Sequence, residues 1–169
     1  MVNVDFKYED YAFESVTEND LQLLSEWIKE NSEEDNNCYS LEPQIFYRRY
    51  LEYYVASGES FIKVSKEGKI IAVFKGRFEM EKGNELFIWL FIIDKKLRNR
   101  GEGSIIISKV IEYFKMNFFI DKVEVGVVQS NLGGISFWNS LGFHVSRVTK
   151  GFFDGDNDYE RNLVIMNKR

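Results

Sequence analysis

The chain has 169 residues, 44% hydrophobic and 16% aromatic, which suits one globular domain with a core of useful size and excludes a disordered chain. A formal net charge of −5 with a pI near 5.1 argues against a nucleic-acid backbone as the main partner, and is compatible with a cationic substrate. No apolar run approaches the roughly 20 residues of a membrane helix, "MVNVDFKYED" lacks the order of a signal peptide, and Cys38, the single cysteine, makes a reducing cytoplasm the expected location.

In chain order, "YAFESVT" (11–17) reads as a first strand. "ENDLQLLSEWIKEN" then reads as a helix, with Thr17 or Asn19 as N-cap and Leu21, Leu24, Trp27 and Ile28 on one face. A polar loop, "SEEDNNCYS", follows, and Pro43 opens a second helix that runs through Tyr54. "SFIKVSKEGKIIAVFKGRFEM" splits into a hairpin at Glu67-Gly68. "NELFIWLFII" is almost continuously apolar, as expected of a strand buried on both faces. A helix is expected over 102–118, where Ile106, Ile107, Val110, Ile111 and Phe114 keep i, i+3, i+4 spacing. "KVEVGVV" (122–128) is a strand and "LGGISFWNSL" a short helix that Gly142 terminates. "FHVSRVT" and "ERNLVIMNK" close the chain as two strands. The order β-α-α-β-β-β-α-β-α-β-β predicts one mixed α/β domain over 1–169, a central sheet of about six or seven strands flanked by about four helices.

Between the apolar strand and the long helix stands "LRNRGEGS" (97–104), with Arg98, Arg100, Gly101 and Gly103. A helix N-terminus exposes unpaired N–H groups and the positive end of a dipole, and so accepts anions. Glycine lets the backbone approach an anion closely. The stretch lacks the Gly-Lys-Ser/Thr of a nucleoside triphosphate loop and the third glycine of a dinucleotide fold. Taken alone it fits a phosphate cradle or a structural turn.

Arg98-x-x-Gly101-x-Gly103, placed after a strand and opening a helix, resembles the acyl-CoA-binding motif of the GNAT superfamily of N-acyltransferases. "SNLGGISFWNSLGF" (130–143) resembles the family's second signature through Asn131, Gly134, Phe137, Leu141, Gly142 and Phe143. The element order is similar to the family fold from about residue 10 to 167, and the tail resembles the last hairpin of protein N-terminal acetyltransferases in the family. The resemblance implies that acetyl-CoA is the co-substrate. Its pyrophosphate would meet the amides of Asn99, Arg100, Gly101, Glu102, Gly103 and Ser104, with Arg98 and Arg100 adding charge. The backbone groups of Phe91 and Ile93, freed where their strand splays from its neighbour, would pair with pantetheine, and Asn131, in a segment with Phe137, would bond that arm from the other side. Asn131 also suits an N-cap of its own helix.

Acetyl transfer to an amine whose pKa is about 10 requires a base to remove a proton. Protein N-terminal acetyltransferases of the family often carry a glutamate five residues before the motif asparagine, where this chain has Gly126. Glu124, on the same strand face by alternation, and Glu85, near the start of the cofactor strand, are the candidate bases. Many members supply a general-acid tyrosine four residues before the Gly-Phe pair. Here that position is Trp138, whose indole donates a hydrogen bond but cannot yield its proton to a thiolate. Packing is the alternative role for Trp138, and Tyr113 or Tyr159 are substitutes for the acid.

Other features carry less. Glu33, Glu34 and Asp35 would give the acceptor site an acidic rim attractive to cationic amines, or form a solvated loop. Asp154, Asp156 and Asp158 imitate a calcium loop, but Tyr159 replaces its glycine and Ile165 its terminal glutamate, so no metal is expected. His144 reads as structural or exposed, and Cys38 has no second histidine to make it a nucleophile. The sequence therefore predicts an N-acetyltransferase acting on a small-molecule or peptide amine without a covalent intermediate. The alternatives are a CoA-binding or sensing module of the same fold, favoured by Trp138 and Gly126, and an unrelated α/β domain with a glycine turn. Leu163–Met166 would pair within the sheet or across a homodimer.

Overall fold

Glu67 and Gly68 both take positive φ, 52° and 74°, the twist that closes a two-residue hairpin. Strands β3 (Glu59–Lys66) and β4 (Lys69–Glu79) run antiparallel from that turn. They belong to an eight-stranded sheet in a computed structural model that describes residues 2–31, 43–79, 84–152 and 162–169. The other strands are β1 (Asp5–Tyr8), β2 (Tyr11–Ser15), β5 (Glu85–Ile93), β6 (Lys122–Val128), β7 (His144–Thr149) and β8 (Leu163–Lys168), in the order β1-β2-β3-β4-β5-β6-β8-β7. Every neighbouring pair is antiparallel except β5 and β6.

Among the described residues four α-helices flank the sheet: α1 (Leu21–Asn31), α2 (Pro43–Val55), α3 (Glu102–Phe118) and α4 (Leu132–Ser140). On one face Leu21, Leu24 and Ile28 of α1 and Tyr50 of α2 pack on Phe61 and Val73. On the other, Ile106, Ile107, Val110 and Phe114 of α3 and Trp138 of α4 pack on Phe74, Leu86, Ile88 and Val125. Each buried Leu, Ile or Phe contributes on the order of 1.5–3 kcal/mol. Among the described residues, no helix is long and apolar enough to cross a membrane.

Three expectations change. The sheet has one strand more than expected, because β1 pairs with β2 at the edge, where only Phe6 and Tyr8 turn partly inward. The first read strand stops at Ser15, since Thr17 and Asp20 form a capping box that starts a 3-10 turn over Glu18–Asp20 and leads into α1. Strand β5 is not buried throughout. Leu86 and Ile88 are fully buried, but Trp89 is 36% exposed and Leu90 to Ile93 are half-buried.

Candidate active site

The exposure of β5 follows from its pairing. On the β6 side the register runs Glu85↔Lys122, Leu86↔Val123, Phe87↔Glu124 and Ile88↔Val125, and ends there. On the β4 side pairing continues to Ala72↔Ile93, across a bulge in which Lys75 faces Leu90 and Gly76 faces Ile88, with Trp89 the extra residue between them. Past Ile88 the two parallel strands therefore separate. The N–H of Asp94 bonds Ile71 O on the β4 side at 2.9 Å. By alternation the backbone groups of Ile93 and Phe91 point the other way, into the gap. The carbonyl of Ile93 already accepts Arg98 Nε at 3.3 Å.

The chain then turns through Asp94, which caps a 3-10 turn over Lys95–Leu97, and enters α3 by way of Gly101. Asn99 and Gly101 hold φ of 59° and 83°, values that cost a β-carbon residue strain. A Cβ added at Gly101 would meet no atom within 4 Å, so the space over its backbone is open. Gly103 is buried, its Cα turned toward the Phe137 ring and Ile93. Ser104 N–H turns back to Gly101 O at 3.0 Å. Among the described residues no acceptor meets the N–H groups of Asn99, Arg100, Gly101, Glu102 or Gly103. The arrangement is a backbone cradle of free donors at a helix N-terminus, beside an open strand edge.

The two loop arginines differ. Arg100 is exposed. Arg98 turns back: its guanidinium donates to Ile93 O and to Asn31 O, the last carbonyl of α1, where a cation complements the helix dipole. Asn31, only 7% exposed, also accepts Lys95 N–H at 2.9 Å and donates to Trp27 O. Together these contacts tie α1 to the start of the loop. Opposite the cradle, Asn131 caps α4 by accepting Gly134 N–H at 2.7 Å. Phe137 and Trp138 of α4 lie 6.0 and 6.2 Å from the Phe91 ring.

On the α1/α2 side of the sheet the two candidate bases meet at one cation. Lys122 Nζ lies 2.9 Å from Glu124 Oε1 and 3.1 Å from Glu85 Oε1. The hydrogen bond to Glu124, followed by that to Glu85, raises the Lys122 ammonium above its ordinary pKa although burial opposes this. Phe87 pairs with Glu124 in register, and its ring centroid stands 4.3 Å from that of Trp89. The face thus carries two half-buried carboxylates beside a partly exposed aromatic wall.

An acetyltransferase (GNAT) domain model matches residues 13–162. The chain belongs to the GNAT acetyltransferase family. No curated protein sequence matches it. Its fold is similar to a ribosomal-protein-S18-alanine N-acetyltransferase from Escherichia coli, with 15% identity, a TM-score of 0.70, and 93% of this chain and 92% of that one covered. It is also similar to a mutant spermidine N-acetyltransferase from Vibrio cholerae, with 13% identity, a TM-score of 0.75, and 95% and 94% covered. A third is an Arabidopsis thaliana protein in complex with the bisubstrate analogue CoA-Ac-MVNAL, with 14% identity, a TM-score of 0.70, and 95% and 99% covered.

In this GNAT domain the remaining sequence candidates fall as follows. Trp138 is 5% exposed and packs edge-on against Phe137 and Phe143 at 5.2 and 5.0 Å. Tyr113 stacks on Phe6 at 4.7 Å, under β1 and away from the gap. A Cβ at Gly126 would stand 3.1 Å from Leu163 Cδ1 and 3.3 Å from Phe87 Cζ, so those side chains fill the room a glutamate would need. His144 is exposed on the edge strand β7. Cys38, the acidic stretch 33–35, Asp154, Asp156, Asp158 and Tyr159 lie outside the described residues. Among the described residues no group of three His, Cys, Asp or Glu is placed to hold a metal ion. Sequence reasoning missed Lys122 and Asn31. The alternation of Lys122 and Glu124 was a signal for the first, while Asn31 gave none.

Proposed function

We propose that this domain transfers an acetyl group from acetyl-CoA to a primary amine by direct attack on the thioester. One observation carries the reading: the β5/β6 gap opens beside five free amides of a glycine loop. The donors fit the group, since a pyrophosphate needs several N–H groups converging on open space, and the space over Gly101 is open. The amides of Asn99 to Gly103 and the exposed Arg100 would hold the phosphates, with Ser104 N–H already bonded to Gly101 O, and the gap-facing backbone of Phe91 and Ile93 would hold pantetheine. Arg98 acts indirectly, fixing the loop to α1. When bound, acetyl-CoA supplies the activated acyl group.

The chain's own residues would manage the protons. Glu124, with Glu85 beside it, would accept the ammonium proton directly or through water, and the ion pairs with Lys122 hold the two carboxylates together. Trp138 would pack the pantetheine side of the gap, leaving the thiolate, with a pKa near about 8.5 as for cysteine, to leave unassisted or to take its proton from water. The carboxylate pair and the Phe87–Trp89 wall favour a cationic acceptor. Fold relatives whose names specify a protein alanine or spermidine as acceptor agree with an amine.

Calorimetric titration with acetyl-CoA and CoA, then an amine panel with free-thiol detection, tests the reading. Binding with turnover supports it. Binding without turnover on any amine supports a CoA-binding module, which the crowding at Gly126 and the packing of Trp138 favour. No binding defeats both.

A further inference from the structure

We propose that Tyr11 is a positioning residue for the anion cradle: its hydroxyl holds the Glu102 carboxylate away from the loop amides and so keeps them open to a phosphate group. The inference rests on the acetyl-CoA reading above. Glu102 is the first residue of α3 and the acidic residue of its first turn, and Gly101 at the N-cap brings no side chain to cap the helix. A carboxylate there is a natural partner for the free amides around it. Turned onto them it would occupy the donors that the ligand needs and repel the ligand's charge.

In the structure Glu102 does something else. Its Oε2 accepts the hydroxyl of Tyr11, 91 residues earlier in the chain. Tyr11 is well placed to hold it: the side chain is 4% exposed, its ring packs near Phe13 and Tyr8, and β2 fixes its backbone opposite Lys66. Lys66 Nζ lies 3.4 Å from the Tyr11 hydroxyl and 4.5 Å above its ring. An ammonium, a phenol and a carboxylate thus form a chain that both turns Glu102 aside and offsets its charge. The hydrogen bond to Glu102, with burial adding, raises the Tyr11 phenol above its ordinary pKa, so the donor proton stays in place.

The test titrates the full chain with CoA by calorimetry in the wild type, Tyr11→Phe, Glu102→Gln and the double variant, with the melting temperature of each as a fold control. Tyr11→Phe should weaken CoA by about tenfold, Glu102→Gln should bind at least as tightly as wild type, and the double variant should return to the Glu102→Gln affinity. Lys66→Met, which leaves cradle and ring untouched, should weaken CoA by about two- to threefold and keeps the test open if Tyr11→Phe does not fold. A double variant as weak as Tyr11→Phe, a Tyr11→Phe or Lys66→Met variant as tight as wild type, or a Glu102→Gln variant weaker than wild type would overturn the proposal. Failure of the wild type itself to bind CoA would defeat the acetyl-CoA reading, a result distinct from any of these.

Discussion

Replacing Gly101 by alanine separates the cost of folding from the cost of binding. Gly101 has φ 83° and ψ −14°, and a residue with a β-carbon pays about 1–2 kcal/mol in that region. No steric charge is added, because the new methyl meets no atom within 4 Å. At roughly 2–4 °C per kcal/mol for a domain of this size, the melting temperature should fall by about 2–8 °C and the protein should remain folded. Binding responds differently, since the methyl projects into the space a phosphate would enter. Moving an anion off even two charge-assisted N–H bonds costs about 3 kcal/mol or more, so CoA should bind at least about a hundredfold more weakly. Gly101→Asn adds the same β-carbon but tolerates the left-handed conformation better; it should lose less stability and as much affinity. Differential scanning fluorimetry and calorimetry give both quantities. A Gly101→Ala protein that melts as expected yet binds CoA within threefold of wild type would refute the cradle.

Gly103→Ala makes the converse case. Its Cβ would meet Phe137 and Ile93 at 3.4–3.6 Å, ordinary contact, and alanine gains up to about 1 kcal/mol over glycine in a helix, so thermal stability should hold or rise and CoA affinity, read by calorimetry, should be kept, the methyl facing those side chains and not the loop amides. Lys122→Met should change stability by less than about 1 kcal/mol, because its ion pairs are partly exposed. With the cation that holds Glu124 and Glu85 together removed, kcat/KM for an amine acceptor should fall. Asp20 tests the fold alone. Burial pushes its carboxyl up, but Lys63 and the N–H and hydroxyl of Thr17 outweigh that and hold it below the ordinary carboxylate range. A depressed folded pKa stabilises the protein above the unfolded value of about 3.9, an advantage lost as pH falls through the lower folded value. Asp20→Asn should therefore lower stability at pH 7 by about 0.5–2 kcal/mol, and urea melts of variant and wild type should converge in strong acid.

What the sequence made legible were the features set by local chemistry. The apolar spacing of Ile106, Ile107, Val110 and Phe114 marks α3 over 102–118 as found, and Glu67-Gly68 marks its hairpin. The glycine loop stood out through its motif context, Arg98, Gly101 and Gly103 together with the Asn131 segment, since the glycines alone fit a structural turn as well. Features set by register were hidden. Glu85 and Lys122 touch only because β5 and β6 pair in parallel at Glu85↔Lys122. Arg98 reads as a ligand for phosphate from its motif, and its contact with Asn31, 67 positions away at the end of α1, has no signal in the sequence. The uniform apolarity of β5 concealed the gap altogether, because Trp89 and Phe91 are as hydrophobic beside an opening as they would be in a closed sheet.

On the proposed reading, the bulge at Trp89 is what suits the gap to pantetheine. Leu86 and Ile88 face α3, and strict alternation would next send Leu90 and Ile92 to that side. The extra residue reverses the assignment: Leu90 and Ile92 pack against α1 and α2, while Phe91 and Ile93 join the α3 and α4 cluster. A one-residue shift of this kind turns every later side chain to the opposite face and swaps which backbone groups point to which neighbour. The residues that turn their N–H and C=O groups toward the departing β6 are thereby Phe91 and Ile93, the two nearest the cradle, with Phe91 also under Phe137 and Trp138. Gly76 stands opposite the bulge, where a Cβ would come within 2.7 Å of the Phe74 ring and 3.1 Å of Phe87 O. A larger residue there would have to move a fully buried ring or straighten the bulge, and straightening it would aim the wrong backbone groups into the gap. The proposed site therefore depends on β4 as much as on the strand and loop that line it.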